Sequence, residues 1–174
     1  EKESCLLGFY NGKKLIKTKS ISYPHSVGLL YGTFTDFLGF KPDNDEWKTM
    51  ALASFSTKRN YYDNKMDIIY KLTPNGFELD LSFFDYYLFD RQPNFYNKKL
   101  VSLFGKPRKK EEKITKKHQQ IAGALQRAFT IIVFHLLKIT KLKGGKSNNI
   151  VIAGGAAMNC VFNGLLENKK IYKN

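Results

Sequence analysis

The chain is poor in cysteine and histidine and has no long apolar run. Its two cysteines, Cys5 and Cys160, have neither a CxxC neighbour nor a zinc spacing, which excludes a thiol-rich metal scaffold. Two reduced thiols in the core, and hence a cytoplasmic protein, are the expectation; one Cys5–Cys160 disulfide is the alternative. The most apolar stretch, residues 128–137, has ten residues, too few to cross a bilayer. No leader peptide is visible, and the chain opens on Glu1-Lys2-Glu3 without a methionine, as a piece of a longer protein would. Acidic residues are almost missing from one region. Between residues 98 and 146, fourteen Lys and Arg face only Glu111 and Glu112, while residues 1–97 are balanced at twelve of each sign. Most of the net charge of +14 therefore lies in that region. It suits nucleic acid or an anionic surface, yet aromatics are not interleaved with the lysines as single-strand binders require. A solvated linker and helix face is the plainer reading. The acidic residues at 43–45 lack the spacing of a calcium loop. No Gly-Lys-Ser/Thr follows the glycines at 154 and 155, so a Walker loop is excluded.

What is present is organised around residues 147–160. Ile150, Val151, Ile152 and Ala153 form a short apolar, β-branched run that reads as a buried strand. Gly154 and Gly155 stop it, and an alanine-rich segment then reads as a helix, with Asn159 four or five residues inside. Strand, glycine pair and helix together shape a site for an anion or nucleotide. The glycines let a ligand reach the backbone, and free N–H groups at the helix start favour negative charge. By spacing alone the same pattern also fits ordinary turn chemistry.

Around this unit the pattern predicts a mixed α/β chain of 174 residues with a real core. Asn11-Gly12 between apolar runs predicts a β-hairpin with an exposed lysine-bearing second strand at Lys13, Lys14, Lys17 and Lys19. Ser26 is placed to cap a helix over residues 27–38, stopped by Gly39. His25 suits a hydrogen bond at that helix start better than catalysis. A second helix spans 46–53 with Asp45 as its cap. Residues 54–66 show no period, 68–81 read as a second hairpin, and 82–100 as aromatic-rich loop or short helix packed on the core. A basic linker at 105–114 leads to a long helix capped by Thr115. Its buried stripe is Ile121, Leu125, Ala128, Ile132, Leu136 and Ile139, and Gly144-Gly145 end it.

Four of these segments, in this order, resemble the carbamoyltransferases of nodulation and antibiotic tailoring. They are Tyr23-Pro24-His25-Ser26-Val27-Gly28-Leu29-Leu30-Tyr31 with Leu38-Gly39-Phe40; Asp45-Glu46-Trp47-Lys48-Thr49-Met50-Ala51-Leu52-Ala53; Leu103-Phe104-Gly105-Lys106-Pro107-Arg108 with His118 and Gln126; and Ala153-Gly154-Gly155-Ala156-Ala157-Met158-Asn159-Cys160. The resemblance implies a single partial domain over 1–174, part of a duplicated ribonuclease-H-like, actin-like ATPase fold. It implies transfer of a carbamoyl group from carbamoyl phosphate, through a carbamoyl-adenylate made from ATP in a separate C-terminal domain, to a hydroxyl of a small-molecule acceptor. AMP is the leaving group. A divalent metal, usually iron, would hold the adenylate. The nucleotide residues implied are Gly154, Gly155, Ala156 and Asn159, with Glu46 and Lys48 at the same cleft. His25 is the one general-base candidate inside the motifs.

The sequence departs from the family in three places. No His-x-x-x-His pair occurs, so metal ligands are expected outside this chain. Ala51 stands where the family has glycine, and Ser54-Phe55-Ser56 does not continue the usual Pro-Tyr-Gly. A sugar or acid kinase of the same superfold and a basic nucleic-acid-binding module are the rival readings.

Overall fold

The computed structural model describes residues 2–91, 94–143, 147–169 and 172. Among the described residues, two separate antiparallel hairpins and five shorter α-helices surround one long central helix. In the first hairpin, β1 (Glu3–Tyr10) pairs with β2 (Leu15–Ser22). The Asn11 carboxamide accepts from the Lys13 and Lys14 N–H groups and Gly12 takes a φ of 92°. The turn thus uses four residues instead of the two expected, and Lys13 and Lys14 lie in it rather than in the second strand. The second hairpin, β3 (Tyr70–Thr73) with β4 (Gly76–Leu79), turns through Pro74 and Asn75. Phe77 and Leu79 point inward, and exposed Glu78 pairs with Lys71 at 2.8 Å. This is the predicted alternation.

Helix α1 (Val27–Phe37) begins where Ser26 Oγ accepts from the Leu29 N–H. It ends in a Schellman turn: Gly39 N–H bonds the Asp36 carbonyl and Phe40 N–H the Thr35 carbonyl. Seven of its residues are buried, because it is packed on nearly every side. Its Thr35 hydroxyl meets that of Thr49 on α2 (Glu46–Ala53) at 3.1 Å. Asp45 does precede α2, but its carboxylate turns back to Lys41 N–H and to Lys48 instead of capping the helix.

Residues 54–66 hold a helix that hydrophobic period did not reveal. In α3 (Tyr61–Met66), Asn60 and Asp63 form a capping box, a polar signature written in the pair Asn-x-x-Asp. Asp63 also takes both Nε and Nη2 of Arg127, at 2.6 and 2.8 Å, while Arg127 Nη1 donates to the Ser56 carbonyl. After two 3-10 turns (Leu81–Phe83 and Tyr86–Arg91) comes α4 (Lys98–Phe104), capped by Asn97. Residues 105–114 carry no helix or strand, as the linker reading expected, yet they are fastened down. Arg108 is buried, and its guanidinium donates to the carbonyls of Leu38, Lys109, Lys110 and Glu112.

The long helix α5 (Lys116–Lys143) touches β1, β4, α1, α2 and α3. All six residues of the predicted stripe are buried. By length and composition it could span a bilayer, but 67% of its apolar stretch is covered inside the protein, as in a core helix. At its start His118 Nδ1 accepts from the Thr115 N–H at 3.0 Å, standing in for the glutamate of a capping box. Its stop at Gly144-Gly145 lies outside the described residues. Helix α6 (Cys160–Lys169) follows a 3-10 turn, Gly155–Met158.

The mixed α/β class is as expected; the strand at residues 150–153 is a correction. No strand pairs with it among the described residues, and Val151 is 90% exposed. β-branched composition supplies a propensity, whereas a strand exists only with a ladder partner. Both cysteines are free thiols, but only Cys5 is half-buried; Cys160 is exposed, not in the core.

A Cβ on Gly123 would stand 2.2 Å from the Ser56 carbonyl oxygen. Gly123→Ala is therefore expected to destabilise by about 1–3 kcal/mol despite alanine's better helix propensity, seen as a lower urea midpoint; an unchanged midpoint contradicts the packing. Burial, with Lys117 and Arg108 beside it, holds the His118 ring below the ordinary imidazole pKa. The neutral ring is the one that accepts from Thr115, so this stability is complete above about pH 6.5 and declines as pH falls through the lowered folded value. His118→Gln keeps an acceptor that does not titrate. It should flatten the loss of stability between pH 7 and 5; an identical slope refutes the assignment.

Candidate functional site

The glycine turn is open. Gly154 has a φ of 97°, a conformation that favours glycine, and begins a 3-10 turn over Gly155–Met158. Nothing lies within 4 Å of where a Cβ on Gly154 or Gly155 would stand. The Gly155 and Ala156 N–H groups donate to nothing among the described residues, while Ala157 N–H bonds the Gly154 carbonyl. Ala156 is half-buried against the core. The turn therefore offers bare main-chain donors to solvent.

Its far end is fixed from below. Asn159 does not lie within the helix; it is the residue before α6, and its Oδ1 accepts from the Phe162 N–H at 2.9 Å. The same carboxamide forms a reciprocal pair with Gln126 of α5, with both N···O distances 3.0 Å. The Tyr31 hydroxyl of α1 donates to Gln126 Oε1 at 2.9 Å. Asn159 and Gln126 are both buried, and burial raises the Tyr31 pKa, so this hydroxyl stays a donor. Asn159, proposed from sequence as a nucleotide contact, thus spends its oxygen on Gln126 and Phe162. Gln126 and Tyr31 were legible only as motif residues. Nothing in their spacing tells that they would meet Asn159.

Glu46 stands in the first turn of α2, its Oε1 accepting from Asp43 N–H at 2.7 Å and lying 3.7 Å from a Cβ placed on Gly32. Burial raises the Tyr31 pKa and the nearby Glu46 charge adds to the rise, while Cys160 Sγ is 3.7 Å from Met50 Sδ. The start of α2 and the end of the glycine turn therefore share one flank of α1. Lys48 is engaged locally, paired with Asp45 at 2.9 Å and 5.4 Å from the Trp47 ring. His25 turns elsewhere: its Nδ1 accepts from Leu79 N–H at 3.0 Å, and it lines a groove with Ile68, Tyr70, Lys71, Glu78 and Asp80. The neutral ring then carries its proton on Nε2.

A family model described as Carbamoyltransferase N-terminus matches residues 3–174. The chain belongs to this carbamoyltransferase family. An uncharacterized protein of Synechocystis is 35% identical over 165 residues, which is 94% of this chain and 26% of that protein. Nodulation protein NolNO of Sinorhizobium fredii is 29% identical over 98% of this chain and 23% of its own length. Nodulation protein NolO of Bradyrhizobium diazoefficiens is 28% identical over 89% of this chain and 26% of its own length. The chain thus spans about a quarter of the length of the curated relatives it matches. Within the carbamoyltransferase chain, no three His, Cys, Asp or Glu side chains gather as a metal cluster among the described residues.

Removing the carboxamide of Asn159 should be felt twice. Asn159→Ala is expected to cost about 1–3 kcal/mol by leaving the Gln126 amide unpaired and about 1 kcal/mol by removing the α6 cap. Chemical unfolding measures the sum. In a double-mutant cycle with Gln126→Leu, the combined loss should fall well short of additive; strict additivity would show that the pair is not coupled.

Proposed function

We propose that this chain is the nucleotide-contacting part of an O-carbamoyltransferase, and that the open amides of Gly155 and Ala156 receive an adenine nucleotide. The observation that carries the reading is the bare turn at 154–156, inside a chain matched by the carbamoyltransferase family from residue 3 to 174. Two N–H groups without an internal acceptor after a positive-φ glycine can donate to an anionic oxygen, and no side chain intrudes on the glycines. In the intact enzyme, a hydroxyl oxygen of the acceptor attacks the carbamoyl carbon of a carbamoyl-adenylate. The bond to the phosphate oxygen breaks, and AMP leaves. Donors near the developing charge would stabilise this step. The carbamoyl-adenylate itself is made from carbamoyl phosphate and ATP in another part of the longer protein.

Glu46 belongs to the same reading as a nearby group on the α1 flank, and Lys48 as a cation released from Asp45 when phosphate is bound. Asn159 contributes by holding the turn against Gln126 rather than through its own oxygen. His25 is left with the second hairpin and is given no part in the transfer step.

The test uses ligand-induced protection. ATP or AMP should raise the melting temperature of the chain, and Gly155→Val should abolish that rise. A Cβ at this position meets no protein atom within 4 Å, so the unliganded melting temperature should be little changed. A variant that is protected as well as the wild type would move the nucleotide away from this turn.

A further inference from the structure

Three lysine ammonium groups from different parts of the chain gather at the end of α4. Lys65 Nζ, from α3, donates to the Leu103 carbonyl. Lys117 Nζ, from the first turn of α5, donates to the Lys106 carbonyl at 2.9 Å. Gly105 makes room for it: its φ is 83°, and a Cβ there would stand 2.9 Å from Lys117 Nζ. The exposed Lys106 side chain adds the third charge, and Glu112 answers that one, at 2.9 Å. Neither Lys65 nor Lys117 has a carboxylate partner among the described residues; Lys65 Nζ lies instead 4.7 Å from the centre of the Tyr61 ring. Two positive charges are thus left without a counter-charge. Burial, and then the charges of Lys65 and Lys106, hold the half-buried Lys117 amine below the ordinary lysine pKa.

We propose that this cluster receives the phosphate of a small acyl phosphate and that Lys117 Nζ takes the acyl group. Two features select that class of reagent. The unanswered cations suit a dianion, whose oxygens can accept from more than one ammonium group. The amine that lies between two like charges, and so gives up its proton readily, is the nucleophile that an acyl carbon needs. Inorganic phosphate would use the charges and leave the amine idle. In the step, the lone pair of the neutral Lys117 amine attacks the acyl carbon while one N–H stays on the Lys106 carbonyl. A C–N bond forms, and the bond from that carbon to the phosphate oxygen breaks. Inorganic phosphate leaves with the electron pair and takes up the amine proton, and Lys117 becomes a neutral amide. The cluster shares no residue with the glycine turn, so the inference stands whether or not a nucleotide binds there.

Acetyl phosphate is the probe, and acetylation of each lysine is followed by peptide mass spectrometry. The initial rate at Lys117 should exceed that at exposed Lys13 by at least about tenfold, the low end of what a local field of one sign adds to encounter. Inorganic phosphate should remove this excess, whereas chloride at equal ionic strength should leave most of it. Lys106→Gln, at an exposed position, deletes one cation and frees the Glu112 carboxylate; most of the excess at Lys117 should be lost while the Lys13 rate stays the same. With N-acetoxysuccinimide, an uncharged acetyl donor, Lys117 should still lead Lys13, and inorganic phosphate should make no difference. Equal rates at Lys117 and Lys13 overturn the proposal. So does a lead that phosphate leaves untouched, or one that chloride removes as fully as phosphate, since amine reactivity or diffuse attraction would then suffice.

Discussion

Everything around the glycine turn depends on one buried pair of carboxamides. Gln126 comes from the middle of the central helix, and Asn159 closes the turn; each donates to and accepts from the other. A buried amide left without partners is costly, so the pair is worth more as a constraint than as a sum of two hydrogen bonds. Tyr31 adds a third anchor from α1. Because Asn159 also caps α6, the same side chain sets where the turn ends and where the next helix begins. The open N–H groups of Gly155 and Ala156 are thus carried on a rigid base while they themselves remain uncovered.

The cations have a similar double character. The region from 98 to 146 is strongly basic by composition, yet two of its arginines are internal fasteners. Arg108 gathers four carbonyls beneath the Phe40 ring, tying the segment after α4 to the end of α1. Arg127 joins α5 to the capping box of α3 through Asp63. Removing one partner from such a buried pair strands the other charge, which is why these contacts are architectural. A count of charges therefore overstates what this surface has free for an anionic partner.

The core of the chain is well filled, and every buried side-chain polar atom described has a hydrogen-bond partner. The segment leading into the glycine turn has no ladder partner among the described residues, and Val151 is exposed.

Local chemistry was legible wherever neighbours in sequence decided it. The stripe of α5, the Ser26 cap, the stop at Gly39 and both hairpins follow from period, capping and turn rules that act over a few residues. Helix α3 was equally local, but it was written in a polar capping box rather than in apolar spacing. The fate of residues 150–153 and of Asn159 was not local. A strand needs a partner supplied from elsewhere, and a carboxamide points to ligand or to core according to which distant side chain reaches it first. Sequence by itself determined the two hairpins, the Ser26 cap, the buried stripe of α5 and the family; only the tertiary structure decided that Asn159 turns inward to Gln126 and that the two glycines remain bare, because those outcomes rest on contacts between residues tens of positions apart.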